Sequence, residues 1–476
     1  LLQNRKIRIS LVYLLSLVYA IALGYFISKD KMHLAAIPVG LLLIFLTLYR
    51  LKLLYWIILF SVPLSFPLKE LGLGLDFNMF LPTEPLLAGL MVIFIIRLTV
   101  DRGFDKHVLK HPISQIILFQ LGWLLITSIT STMPDVSFKY FMSRLWFVAV
   151  FYFIATELFK NPENIRRYIW VYLIPLGGMI IIITLKHAGL GLFDQKASNP
   201  AEDPFFNDHT LYGAIVAFAI PLAFGFLVKS KLSWWQRIGA FVILGLLLTG
   251  LIFSYSRAAW VSLLGGIGVY FLILFKIKGR TVLLVTLILV GFFMVFGKSL
   301  LMKMESNDQD SSDNLTEHVQ SISNISTDAS NLERLNRWSC ALRMWMEKPI
   351  FGFGPGTYMF QYAPFQKEAQ KTIISTNAAD GGNSHSEYLG PMSEYGIFGA
   401  LSMLLLVFFS IRTGIRVYHK QTEMELKMIA MAVTIGLITY FLHGIMNNFL
   451  DTDKASALVW GGMAIIVALD RRKVKS

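Results

Sequence analysis

Four side chains in this sequence are of a type, and in a setting, that could do chemistry: Arg257, Arg334, Arg337 and His385. His385 follows Asn383 and Ser384, both good N-capping residues, and opens the segment HSEYLGPMSEYGIFGA. The apolar spacing of that segment predicts a helix. The positive end of a helix disfavours an imidazolium, so the ring is expected to be neutral at neutral pH. A neutral imidazole at the water boundary is what a general base for an alcohol acceptor requires. The other reading is a surface histidine without a task. No second His or Cys stands at ligand spacing from it, so no metal site is expected. His443, with Asn447 and Asn448 nearby, is a less specific polar cluster, and His187 and His209 read as structural or substrate-lining.

Arg334 and Arg337 lie one helical turn apart in ERLNRWSCALRMWMEKP, beside an apolar face of Leu335, Trp338, Leu342 and Trp345. Their planar, five-donor forks suit phosphate oxygens; a solvated or headgroup-facing helix face is the alternative. The pattern predicts an amphipathic helix from Glu333 to Lys348, lying at a membrane surface. Arg257 sits in SYSRAAW, at a tight turn between two apolar runs. Facing lipid would cost several kcal/mol, so it faces a cavity or snorkels at the interface. Pro349 stops the amphipathic helix, and FGFGPG follows. No Gly-Lys-Ser/Thr follows, so this is not a P-loop, although its backbone N–H groups could help hold an anion. Cys340, the one cysteine, lies in an apolar helical pattern and reads as a buried, inert thiol.

The elements that must position these residues are membrane spans. The chain has 476 residues, 55% hydrophobic and only 15% charged. Runs of about 20 apolar residues recur, the length that crosses a hydrocarbon core. Candidate spans fall at roughly 9–28, 32–49, 53–67, 84–100, 112–132, 138–159, 168–186, 209–228, 238–254, 258–275, 281–298, 386–411, 426–443 and 455–470. Of these, 53–67 and 138–159 carry the weakest signal, the latter holding Lys139 and Arg144. A net charge of +13 would suggest nucleic acid in a soluble protein. Here Lys and Arg sit in short clusters between spans, such as Lys160/Arg166/Arg167 and Arg412/Arg416/Lys420. Acids such as Asp194, Glu202 and Asp451 mark the opposite loops. The positive-inside rule then puts both termini in the cytoplasm and 301–383 outside, with no nucleic-acid partner. Arg5, Lys6 and Arg8 before the first run read as a retained signal anchor. The expected organisation is an N-terminal bundle of about 11 helices over 1–300, a loop with the amphipathic helix over 301–385, and about three C-terminal helices over 386–476. Residues 305–333 are acidic and Ser/Asn-rich, as a mobile loop would be.

In sequence order these features are SYSRAAW, then R-x-x-x-W leading to P-x-x-G-x-G-x-G, then H-S-x-Y-L-x-x-x-x-E-x-G at the start of a span. That order resembles the O-antigen ligase/polymerase superfamily, membrane glycosyltransferases of the GT-C type. FFNDHTLYGAIVAFAIPL (205–222) is similar to the family's Asn-containing segment ahead of this core. The resemblance covers about 205–400. It implies an all-α polytopic membrane protein of about 12–14 transmembrane helices with one long periplasmic loop, in the bacterial inner membrane. It further implies a glycan donor carried on undecaprenyl diphosphate, transferred on the periplasmic face with inversion and without metal or cofactor. In the ligases two arginines hold the diphosphate and a histidine activates the acceptor hydroxyl. By motif position these are Arg257, Arg334 and His385, with Arg337 as a secondary diphosphate ligand.

The acceptor could be lipid A–core (an O-antigen ligase of lipopolysaccharide biosynthesis), a second lipid-linked glycan (a polymerase) or a protein Ser/Thr (an O-oligosaccharyltransferase). The His-Ser-x-Tyr-Leu junction favours the ligase. From another class, a transporter or flippase would need charges or Gly/Pro breaks at paired mid-membrane positions. Arg144 is the main intramembrane charge in the sequence.

Overall fold

A computed structural model describes residues 17–19, 24–25, 50–72, 79–100, 104–229, 232–281, 284, 288, 329–367, 370–371, 375 and 382–472. The spans expected at 9–28 and 32–49, nearly all of 281–298 and most of the acidic run 305–333 lie outside these residues. The chain divides into two compact units, 1–57 and 58–476. Helix α1 (Leu51–Ser61) ends in a turn at Pro63, giving a short apolar helix where a span was expected over 53–67.

The second unit is an all-α bundle. Its long helices are α2 (Thr83–Val100), α3 (Pro112–Ile129), α4 (Pro134–Leu158), α5 (Pro162–Gly191), α6 (His209–Lys229), α7 (Trp234–Phe253) and α8 (Arg257–Leu274). After the amphipathic α9 (Ala329–Glu347) come α10 (Leu389–Lys420), α11 (Met424–His443) and α12 (Asp453–Arg471). Among the described residues nine helices, α2 to α8 with α10 and α11, are long and apolar enough to cross a membrane, which makes this a polytopic membrane protein. α12 is similarly long but carries Asp453, Lys454 and Asp470.

Local chemistry sets the helix starts. Pro112, Pro134 and Pro162 each open a helix, where a missing N–H leaves nothing unsatisfied. Ser233 and Gln236 form a reciprocal capping box on α7, and Ser256 caps α8 by accepting from Ala259 N. One turn of α4, Ala149–Ile154, is π-helical and buried throughout.

The core lies where α6 and α11 cross, both buried along most of their length. Small residues let backbones approach, as lipid-immersed helices need. A Cβ on Gly225 would lie 2.8 Å from that of Ala432, and one on Gly436 would lie 2.9 Å from the Phe218 ring.

The two ends of the bundle differ in chemistry. At one end Asp105 pairs with Arg471 at 2.7 Å and Lys160 at 3.4 Å, and Asp470 pairs with Arg416 at 2.7 Å. Burial raises the Asp105 pKa, but the Arg471 hydrogen bond and the neighbouring cations bring it down to about 2. These are the basic clusters that the sequence places together on one side. The opposite end holds the start of α10, the α11–α12 turn and a buried lysine: Lys454 Nζ donates to Ser65 O at 3.0 Å and pairs with Asp453 at 3.6 Å.

Candidate functional site

The glycine-rich turn is a structural lock. α10 breaks at Tyr395 and Gly396, the latter at φ 71°, ψ −166°. The unwound turn offers its carbonyls, and the FGFG segment takes them. Phe353 N donates to Ser393 O at 3.1 Å, Gly354 N to Glu394 O at 2.7 Å, and Ile397 N returns a bond to Pro349 O at 2.9 Å. A Cβ on Gly352 would strike the Glu394 carbonyl, and one on Gly396 the Ile350 carbonyl. From the other side, Thr132 N and Oγ1 donate to Phe353 O at 2.9 and 2.6 Å, and Trp123 Nε1 donates to Tyr395 O at 2.7 Å. The N–H groups of Phe353 and Gly354 are therefore committed to backbone, which corrects the expectation that this turn could cradle an anion.

This lock fixes α9 beside the start of α10. α9 turns Asn336, Arg337, Cys340, Ala341 and Met344 inward, whereas Leu335, Leu342 and Met346 stay exposed. Of the apolar stripe read from the sequence, Leu335 and Leu342 face outward, while Trp338 and Trp345 are half-buried. Cys340 is buried, with its pKa raised by burial. Arg337 is also buried. Its Nε donates to Glu333 Oε1 at 2.6 Å and its Nη1 to Gly382 O at 3.1 Å, and the guanidinium lies 3.8 Å above the Tyr362 ring. It ties α9 to the chain leading into His385. Arg334, on the adjoining face, is half-buried.

His385 stands four residues before α10, not at its first turn. Asn383 Oδ1 accepts from His385 N at 3.0 Å, a local turn in place of the expected cap, and His385 takes φ 49°. Trp338 Nε1 of α9 holds the His385 carbonyl at 3.1 Å. The ring is neutral, as expected, but for a different reason. Burial and the guanidinium groups of Arg334 and Arg337 lower its pKa to about 4, against opposing effects of Asp208 and the Asn447 side chain. The helix end is too far along the chain to be the cause.

Three groups around the ring have no role in the expectations drawn from the sequence. Glu387 binds the junction to the α11–α12 turn: its Oε1 accepts from Tyr440 Oη at 2.6 Å, Phe449 N at 2.7 Å and Leu450 N at 2.8 Å. Its own N–H donates to Gly444 O at 2.8 Å, and Tyr388 Oη reaches Phe441 O at 2.8 Å. Asp208, just before α6, accepts from Thr210 N at 2.9 Å and pairs with His209 at 3.1 Å. Burial would raise its pKa, yet the bonds from His209 and Thr210 hold it well below the usual carboxylate range. Asn447 completes the set. An acid two residues from the candidate base was the one available signal for Glu387; Asn447 was visible only as part of the polar cluster with His443, and Asp208, from a distant segment, gave none.

Arg257 opens α8 at a turn closed by Trp260 Nε1 donating to Leu251 O at 2.8 Å. That turn packs on the first part of α6, where a Cβ on Gly213 would lie 2.7 Å from the Ser256 Cβ. Asp208 introduces the same helix, so Arg257 reaches the His385 end of the bundle through α6. The structure thus groups His385, Arg334, Arg337 and Asp208 electrostatically and sets Arg257 on a neighbouring turn. His187 is structural, with Nε2 3.0 Å from Asp194 O in its own loop. Among the described residues no group of His, Cys, Asp and Glu could hold a metal ion.

No curated protein matches the chain. Residues 240–404, which contain Arg257, Arg334, Arg337 and His385, match the family model described as O-antigen ligase. Over this segment the chain is similar to that family.

Proposed function

We propose that the protein is an inverting, metal-independent glycosyltransferase that moves a glycan from undecaprenyl diphosphate to an acceptor hydroxyl on the periplasmic face, with lipid A–core as the acceptor. The observation that carries this reading is a histidine kept neutral beside a guanidinium, at the end of a membrane bundle opposite the Lys/Arg clusters, inside the matched family segment. His385 takes the proton of the acceptor hydroxyl as that oxygen attacks the anomeric carbon. The new C–O bond forms on the face opposite the diphosphate, and the bond to the diphosphate breaks. Negative charge collects on the departing phosphate oxygens. Arg257 and Arg334 stabilise it near the membrane surface, where water screens less. Arg337, the secondary candidate, has its charge paired with Glu333 and supports the site by holding the chain before His385.

Reconstitution with an undecaprenyl-diphosphate glycan and separate acceptors tests this. His385→Ala is expected to lower turnover by about 10²–10⁴ while the protein stays folded. Transfer to lipid A–core identifies a ligase, a ladder of lengthened lipid-linked glycan a polymerase, and labelled protein an O-oligosaccharyltransferase. Wild-type turnover in His385→Ala would remove the base, and full activity in both Arg257→Ala and Arg334→Ala would place the diphosphate elsewhere.

A further inference from the structure

The turn leaving α11 contains buried polar atoms that no described residue satisfies. Among the described residues His443 Nε2, Asn447 Nδ2 and Asn448 Oδ1 have no hydrogen-bond partner, although His443 and Asn447 are only 1% and 2% exposed. Folded proteins rarely leave such atoms alone, because each costs about 1–3 kcal/mol. Here three occur within six residues, on a backbone that Glu387 holds through Gly444, Phe449 and Leu450. The same turn meets the His385 ring through Asn447, and Arg334 and Asp208 act on both His385 and His443. A rigid turn carrying unspent hydrogen-bonding capacity beside the candidate base is built for a ligand.

We infer that His443, Asn447 and Asn448 form a recognition subsite for the hydroxyl groups of the sugar that reacts at His385. The chemistry selects the ligand class. Asn447 Nδ2 only donates, Asn448 Oδ1 only accepts, and a neutral imidazole nitrogen does either. A phosphate offers acceptors alone and would leave Asn448 unsatisfied. A sugar carries hydroxyls, which donate and accept at once. The subsite therefore complements the arginines: they take the anionic part of a glycosyl donor and this turn takes its sugar.

The inference rests on the glycosyl-transfer reading, and one binding experiment separates the two. The full chain in nanodiscs is titrated with undecaprenyl diphosphate and with undecaprenyl-diphosphate-N-acetylglucosamine. The sugar-bearing carrier is expected to bind about tenfold more tightly. Asn448→Leu and Asn447→Leu should bring that ratio to about one and leave affinity for the bare carrier unchanged; Asn448→Leu should also hold or raise the melting temperature of the unliganded protein, since an apolar group replaces an unsatisfied one, whereas Asn447→Leu also gives up its bond to His385. Asn448, half-buried, is the milder of the two. A ratio that survives both substitutions, or a wild-type ratio of one, overturns the subsite and leaves the donor reading standing. Failure of wild type to bind either carrier overturns both.

Discussion

Glu387 gives the sharpest test of how the site is held. Glu387→Ala removes the acceptor of Tyr440 Oη and of two backbone N–H groups, Phe449 and Leu450, all at a buried position. Each N–H left unsatisfied costs about 1–3 kcal/mol, so the two backbone groups set a loss of about 2–6 kcal/mol. Glu387→Gln keeps an oxygen for the same donors and forfeits only the charge assistance. It also relieves a buried acid, whose pKa burial raises against the pull of Tyr440 and Arg144. Its loss should be about 1–3 kcal/mol at most. The assay is reversible unfolding in mixed micelles, run beside glycosyl transfer at a temperature where both variants are folded. The expected order of stability is wild type, then Gln, then Ala. Activity should fall in Ala even when folded, because the carboxylate fixes the turn that faces His385. An Ala variant as stable as Gln, or fully active, would refute the claim that this one oxygen joins the two segments.

Three further outcomes follow from the geometry. Gly396→Ala places a side chain at φ 71°, ψ −166°, a region open essentially only to glycine, and against the Ile350 carbonyl; a loss of at least about 1–3 kcal/mol is expected in the same unfolding assay, and a neutral result would remove the lock. Arg337→Leu strands a buried Glu333 and should cost about 3–5 kcal/mol, most of it recovered in the Arg337→Leu/Glu333→Leu double variant, whereas no recovery would show that the pair is not the clamp. For pH, a base whose pKa is about 4 is lost only as pH falls through that value, so the acid limb of kcat/KM should lie well below the ordinary histidine value of 6.5. Bound diphosphate offsets Arg334, so the acid limb of kcat should lie higher than that of kcat/KM; limbs that coincide near the ordinary value would refute the electrostatic account.

Much of this could be read from the sequence because it depends on neighbours along the chain. Nine spans stand where apolar length puts them, and α9, expected from Glu333, begins four residues earlier at Ala329. Arg144, a weak point of the span signal, is accommodated inside α4 by a 2.7 Å bond to Tyr140 Oη. What the sequence hid is non-local. HSEYLGPMSEYGIFGA reads as one helix, and only the FGFG segment, some forty residues earlier in the chain, explains why it breaks at Gly396. Arg334 and Arg337 are equivalent by spacing, and their different surroundings follow from Tyr362, Glu333 and Gly382. The same holds for Asp208, whose proximity to His385 no local pattern encodes.

The interlock at Gly354 and Glu394 also says when the site can exist during synthesis. Its supports come from the α3–α4 turn near Thr132, the segment at Phe353, the break in α10 and the turn before α12. A nascent chain that has inserted only as far as α8 has Arg257 in place but lacks α9 and His385. The arginine of α9 gains its position only when α10 provides carbonyls, and His385 only when Leu450 has followed α11 across. Assembly of the candidate site therefore completes at the last stage of insertion, and partially inserted chains lack it.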